Sequence, residues 1–131
     1  MSAQQELVHE LLELVDTTTA SSARLSTLLI WHGVLAKSNL FINPILANAL
    51  FVRAVCIHRP TIPWLPSVTK GEASQDFFSR FETALVDQPA CQVAQATPAL
   101  LDSYIGTLIA LLGIELTRKI IHMVSKAQTL R

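Results

Sequence analysis

The sequence is poor in charge, in glycine and in aromatic rings. Charged residues make up 15 % of its 131 positions, aromatic ones 6 %, and there are four glycines. So few glycines cannot build a phosphate-cradling loop. No glycine-rich elbow presents a nucleophile beside a base and an orienting third group. Charge of one sign is lacking too: ten bases balance ten acids. Neutrality removes any general attraction to nucleic acid, and it also removes the repulsion that keeps small proteins apart.

The two cysteines, Cys56 and Cys91, have no C-x-x-C spacing. Cys56 lies between Val55 and Ile57 and is expected to be a buried thiol, since free cysteine packs like a small hydrophobe. A Cys56–Cys91 disulfide stays open, and one pair says little about redox compartment. No charge-free apolar run reaches the roughly 18 residues of a membrane-spanning helix. The nearest, 25–52, contains Lys37 and is broken at Ser38-Asn39 and Asn43-Pro44. The amino-terminal segment carries Glu6, Glu10, Glu13 and Asp16 and no base before Arg24, the reverse of a secretory signal. A cytoplasmic location is therefore expected.

What the chain has in abundance is apolar side chain: 50 % of residues, with a mean hydropathy of +0.41. A domain of this size leaves roughly a third of its unfolded-chain surface in water. With few charges to cover that surface, some apolar area should remain outside the core. Contiguous exposed apolar patches usually mark a contact with a protein or a membrane.

Strand alternation is nowhere sustained, so the sequence predicts one all-α domain over 1–131, a bundle of four to five helices. Ser2 and Gln5 stand at capping-box spacing, and Val8, Leu11, Val15, Thr18, Ser22, Leu25, Leu29 and His32 follow in steps of three and four. These predict one long or gently bent helix over 3–37, with Asp16-Thr17-Thr18-Thr19 marking where a second helix would be capped if it breaks near 17–20. Asn43-Pro44 starts a helix over 44–58, ended by Pro60. Residues 59–72, with Pro60, Pro63, Pro66 and Gly71, form a connector. A helix over 74–87 carries Phe77, Phe78, Phe81, Ala84 and Leu85 on its buried side. Thr97-Pro98 repeats the cap-and-proline start, predicting a last helix over 98–128.

That last helix is the most informative segment. At 100° per residue, Ala99, Ser103, Gly106, Ala110, Gly113 and Thr117 fall within an arc of about 80°. Every member is small, and the opposite side carries Leu101, Ile105, Leu108 and Leu112. A helix apolar all round must be buried all round, and a thin stripe lets a second backbone approach closely. Ser103, Gly106, Ala110, Gly113 and Thr117 are thus the partner-binding residues expected, unless the stripe is filled inside the monomer. Acidic and basic blocks alternate along the chain. An antiparallel pairing of first and last helices would set Glu6, Glu10, Glu13 and Asp16 near Arg118, Lys119, Lys126 and Arg131, steering orientation more than adding affinity.

Other constellations fall short. Glu6-x-x-His9 has di-iron spacing but no second such motif, and Cys56-x-His58 supplies two ligands where structural zinc wants four. Pro60 to Pro66 contains overlapping P-x-x-P steps, read as a rigid connector rather than a ligand. No catalytic residue, metal or cofactor is therefore expected. The expectation is a non-enzymatic helical interaction or oligomerisation module whose partner is itself or another helical protein. A peripheral membrane protein is the alternative, and a helical-bundle enzyme or ligand-binding protein comes third.

Overall fold

Residues 2–67 and 74–129 are described by a computed structural model. Gly71 of the expected connector and Arg131 of the basic end lie outside them. Among the described residues the chain is all-α: α1 (Ala3–Leu12), α2 (Ala20–Ser38), α3 (Pro44–His58), α4 (Ser74–Val86), α5 (Ala90–Leu112) and α6 (Ile114–Thr129). The class matches the periodicity, and the helices number six rather than four to five because both long helices break.

The amino-terminal break comes at residues 13–19. Ser2 Oγ accepts the Gln5 N–H and Gln5 reaches back to the Ser2 N–H, the capping box the spacing predicts. α1 then lasts only ten residues. Thr19, in extended conformation, accepts the Ser22 N–H and starts α2. Between the helices the Asp16 carboxylate accepts the Thr18 hydroxyl and the Thr18 N–H, which hold it below its ordinary pKa. Three consecutive threonines lose side-chain freedom in a helix, and hydroxyl capping offers their backbone an alternative. That alternative wins here over the single 3–37 helix.

The carboxy-terminal break is sharper. Gly113, at φ +88° and ψ 164°, is the only residue between α5 and α6. Its N–H closes α5 on the Ile109 carbonyl, and its own carbonyl accepts both the N–H and the hydroxyl of Thr117. The predicted 98–128 helix is thus two helices. Its start is also earlier: α5 begins at Ala90 and carries Pro98 in its interior. Thr97-Pro98 is not a helix start, because Val93, Ala96 and Thr97 already bury the same face as Leu100, Leu101, Tyr104, Ile105 and Leu108.

α5 is the central helix, packed by α1, α2, α3 and α6, while α4 closes over α2 and α3. At the middle lies Trp31, fully buried, with Phe51 and Tyr104 edge-on to it at centroid distances of 4.8 and 5.5 Å. Phe77 and Phe81 from α4 also meet Phe51 edge-to-face. Such aromatic pairs are each worth about 0.5–1.5 kcal/mol beyond the area they bury. The Tyr104 hydroxyl donates to Ser38 Oγ at 3.2 Å, and burial pushes its pKa up to about 12. Of the connector's described residues, 59–67, the end around Leu65 is docked on the core. Leu65 and Pro66 are buried, Trp64 partly so, and the Leu65 carbonyl accepts the Arg59 side chain at 3.2 Å.

Candidate docking face between α3 and α5

α3 and α5 run antiparallel, and polar ties fix their register. His58 Nε2 and Ser103 Oγ share a hydrogen bond at 2.6 Å, and one turn on Arg53 donates to Thr107 Oγ1 at 3.1 Å. A groove of about 630 Å³ runs along the two helices, with Arg53, Ser103 and Thr107 of those ties in its lining. Ser103, Gly106 and Ala110 form its thin floor, with Leu46, Leu50 and Ile57 along α3 and Leu111 along α5. Gln4 closes one side, its side-chain amide donating to the backbone and side-chain oxygens of Asp102 at 3.1 and 2.8 Å.

The five residues expected from the stripe therefore part company. Ser103, Gly106 and Ala110 share this groove, and Ala110 is exposed. Gly106 is covered within the chain, since a Cβ there would stand 3.0 Å from the tip of Gln4. Gly113 ends the helix with open space around it, and Thr117, one turn past the break, is fully buried. No continuous seam from Ser103 to Thr117 exists, because the +88° φ of Gly113 takes the stripe out of register. The close helix approach expected of a small residue occurs elsewhere. At Gly33 on α2, a Cβ would stand 3.1 Å from Val124 Cγ1 on α6. A lone glycine between His32 and Val34 was the available signal.

The sequence gives no warning about the other wall. α3 reads P-I-L-A-N-A-L-F-V-R-A-V-C-I-H and has no continuous polar side, its Asn48, Arg53 and His58 being isolated among apolar residues. Its inner side buries Ala47, Phe51, Ala54 and Val55 in the core. Its outer side leaves Ile45 74 %, Leu46 41 % and Ile57 48 % exposed, and Leu111 across the groove 53 %. Cys56 lies on that outer side as well. Contrary to the buried thiol expected from its neighbours, it is exposed, and both Cys56 and Cys91 are free. Val55 and Ile57 point to opposite sides of a helix, so flanking hydrophobes do not bury the residue between them.

Charge around the groove is sparse and unpaired. Among the described residues no carboxylate lies within ion-pair distance of Arg53 and no cation within that distance of Asp102. Elsewhere the first and last helices do pack together, and Glu10 lies 3.0 Å from His122 Nδ1, but among the described residues none of the expected acids pairs with Arg118, Lys119 or Lys126. Arg118 instead approaches Glu115 of its own helix at 3.5 Å.

Ser103 and His58 are in hydrogen-bond reach, yet among the described residues no carboxylate bonds to His58. The Ser103 backbone N–H is committed inside α5, so no free N–H pair faces a developing oxyanion. No group of three or more His, Cys, Asp or Glu able to hold a metal occurs among the described residues. None of their helices is long and apolar enough to cross a membrane. A second depression of about 700 Å³ lies between α1 and α5 around Pro98, walled by Gln5, His9 and Leu12. No strongly exposed large aliphatic side chain rims it. Compared with family models, with curated proteins and with solved structures, the chain matches none.

Proposed function

We propose that this protein is a non-enzymatic helical interaction module whose α3–α5 face receives a helix, from a second copy or from another helical protein. The observation that carries the reading is α3 itself. A helix without a continuous polar side calls for cover on more than one side, and α3 is covered on one, leaving Leu46 and Ile57 in water beside Leu111. The groove between them has aliphatic rims, the form taken by helix-in-groove recognition. Adaptors, chaperone-like proteins and assembly subunits of the cytoplasm share this physics.

The test substitutes the rim. Leu46→Glu and Leu111→Glu each place a charge where a partner's apolar side chain would sit, and each abolishes association. Thermal stability shifts by less than about 0.5 kcal/mol, because neither side chain belongs to the core. A photo-crosslinking residue at Ile57 gives an adduct whose mass identifies the partner as a second copy or a different chain. Failure to crosslink to any protein in the native host contradicts the reading.

A second reading, peripheral attachment to an anionic membrane, is favoured by α6, where Arg118, Lys119 and Lys126 lie along one face beside exposed Leu116. Basic amphipathic helices bind such surfaces. Flotation with anionic vesicles, lost on Lys119→Glu and Lys126→Glu, supports that reading; sedimentation free of the vesicles removes it.

A further inference from the structure

We infer that this chain meets an anionic membrane end-on, the turn between α2 and α3 and the turn between α5 and α6 dipping aliphatic side chains among the lipid headgroups. The inference rests on the second reading above, attachment to an anionic membrane, and deepens it by naming the surface that enters the lipid.

The α3–α5 groove leaves out the two most exposed of the large apolar side chains, Ile45 at 74 % and Leu40 at 64 %. Both stand at one end of the bundle. α2 and α5 run the same way, with Thr27 beside Thr97 at 3.4 Å and Ser38 beside Tyr104 at 3.2 Å, so both finish at that end. α3 runs against α5 and starts there, and α6 starts there directly after Gly113. Leu46, Leu111 and Leu116 are exposed at the same end. Residues 38–52 and 103–114, which build it, contain no charged side chain.

The tip also satisfies much of its own backbone. The N–H groups of Asn39, Leu40, Phe41 and Ile42 donate to the Leu35, Lys37, Ser38 and Ser38 carbonyls. Asn43 Oδ1 accepts the Ile45 N–H at 2.7 Å, and the Gly113 N–H donates to Ile109. Polar groups already bonded inside the chain lose little on leaving water.

Charge selects lipid as the occupant. Gly33 lies against Val124, so Lys37, one turn on in α2, is level with Lys119 near the start of α6. Arg53 is held by Thr107, one turn behind Leu111. These cations form a collar about 4–6 Å along the helices behind Leu40, Leu111 and Leu116. None of the three has a carboxylate within ion-pair distance among the described residues. Glu115, the acid at that level, lies 3.5 Å from Arg118, and Asp102 stands about 13 Å behind Leu111. An aliphatic tip with a basic collar a few ångströms behind it matches the acyl boundary and the anionic headgroups of a bilayer. The projecting side chains are all Leu or Ile, without the Trp, Tyr or Arg that anchors protein interfaces.

The experiment uses the full chain and vesicles of phosphatidylcholine with phosphatidylserine. The unaltered chain floats with them, and binds phosphatidylcholine vesicles at least about tenfold more weakly. Leu40→Ser with Ile45→Ser keeps every charge and lowers affinity for the mixed vesicles at least about tenfold. Its circular-dichroism melt coincides with that of the unaltered chain, since both side chains are exposed. With the exposed thiols removed by Cys56→Ser and Cys91→Ser, a polarity-sensitive dye on Leu40→Cys or Ile45→Cys brightens and shifts to the blue with the mixed vesicles. On Leu25→Cys, at the opposite end of α2, it does not. A chain that floats, is indifferent to the serine pair and gives no dye response at 40 or 45 binds through another surface: the membrane reading survives and end-on insertion fails. A chain that does not float removes both. A dye response at 40 and 45 that grows with protein concentration in the absence of vesicles assigns this end to a protein contact and overturns insertion.

Discussion

Tyr104 shows how a single buried hydroxyl makes stability depend on pH. The ring is fully buried at the centre of α5, and burial lifts its pKa from 10.0 to about 12, with the Ser38 hydrogen bond pulling weakly the other way. Below pH 10 the phenol is neutral in both folded and unfolded chains, and its contribution is fully present. Between 10 and 12 the unfolded chain gives up the proton while the folded one keeps it, so the folded state loses ground as pH rises. The loss reaches about 2–3 kcal/mol by pH 12. Denaturant unfolding at pH 8, 10 and 11.5 measures it, and Tyr104→Phe flattens the high-pH slope relative to the unaltered chain. Of the residues that matter most, those acting through local chemistry were readable in advance. Ser2, Gln5 and Asn43 cap helices through neighbours three residues away or fewer, and three-residue patterns carry that information. Arg53 and Asp102 were not readable as a pair. Each is held in one groove by a neutral partner, Arg53 by Thr107 and Asp102 by Gln4, and only the packing of α1, α3 and α5 decides that.

At the scale of elements, Gly106 and Gly113 gave the same signal in sequence and do opposite things. Both interrupt an apolar helical run, where a glycine costs about 1 kcal/mol relative to alanine, and both suggested close packing. Gly106 is helical and meets only the movable end of Gln4. Gly113 meets nothing and is needed for its backbone. Its φ and ψ lie in a region that only glycine adopts readily, where a side chain costs on the order of 1–3 kcal/mol. Gly113→Ala therefore lowers stability by that amount. Gly106→Ala is nearly neutral, because the gain in helix propensity opposes the displacement of Gln4. Equilibrium urea unfolding of the two variants side by side gives the comparison, and equal losses would contradict this account of the α5–α6 break. The pattern of Pro98 misleads for a related reason. A proline after threonine looks like a helix start locally, yet the apolar stripe from Val93 to Leu108 keeps α5 running through it. Sustained burial of one face outweighs one lost backbone hydrogen bond.

For the whole molecule, the amount of surface is ordinary and its distribution is not. The accessible area of 6930 Å² is close to the roughly 6,800 Å² expected of a compact monomer of this mass. The chain hides its core without help. The high apolar fraction instead shows itself as one side of α3 left bare beside the end of α5. Sequence patterns conveyed that such surface should exist, and they picked out Ser103, Gly106 and Ala110 on one wall. They could not say which side of an α3 with no continuous polar side faces inward, since that is set by Trp31 and Phe77 packing against Phe51 from other helices.

Hydroxyl-radical footprinting tests this central claim within one molecule. The exposed aliphatic side chains divide into Leu46, Ile57 and Leu111 on the α3–α5 face and Leu25, Leu40, Ile45, Val86 and Leu116 outside the groove. Compared with dilute isolated chain, the associated form shows strong protection of the first three and unchanged oxidation at Leu25, Leu40, Val86 and Leu116. Full reactivity at Leu46, Ile57 and Leu111 in the associated form, or protection centred on Leu25 or Leu116, would contradict the account.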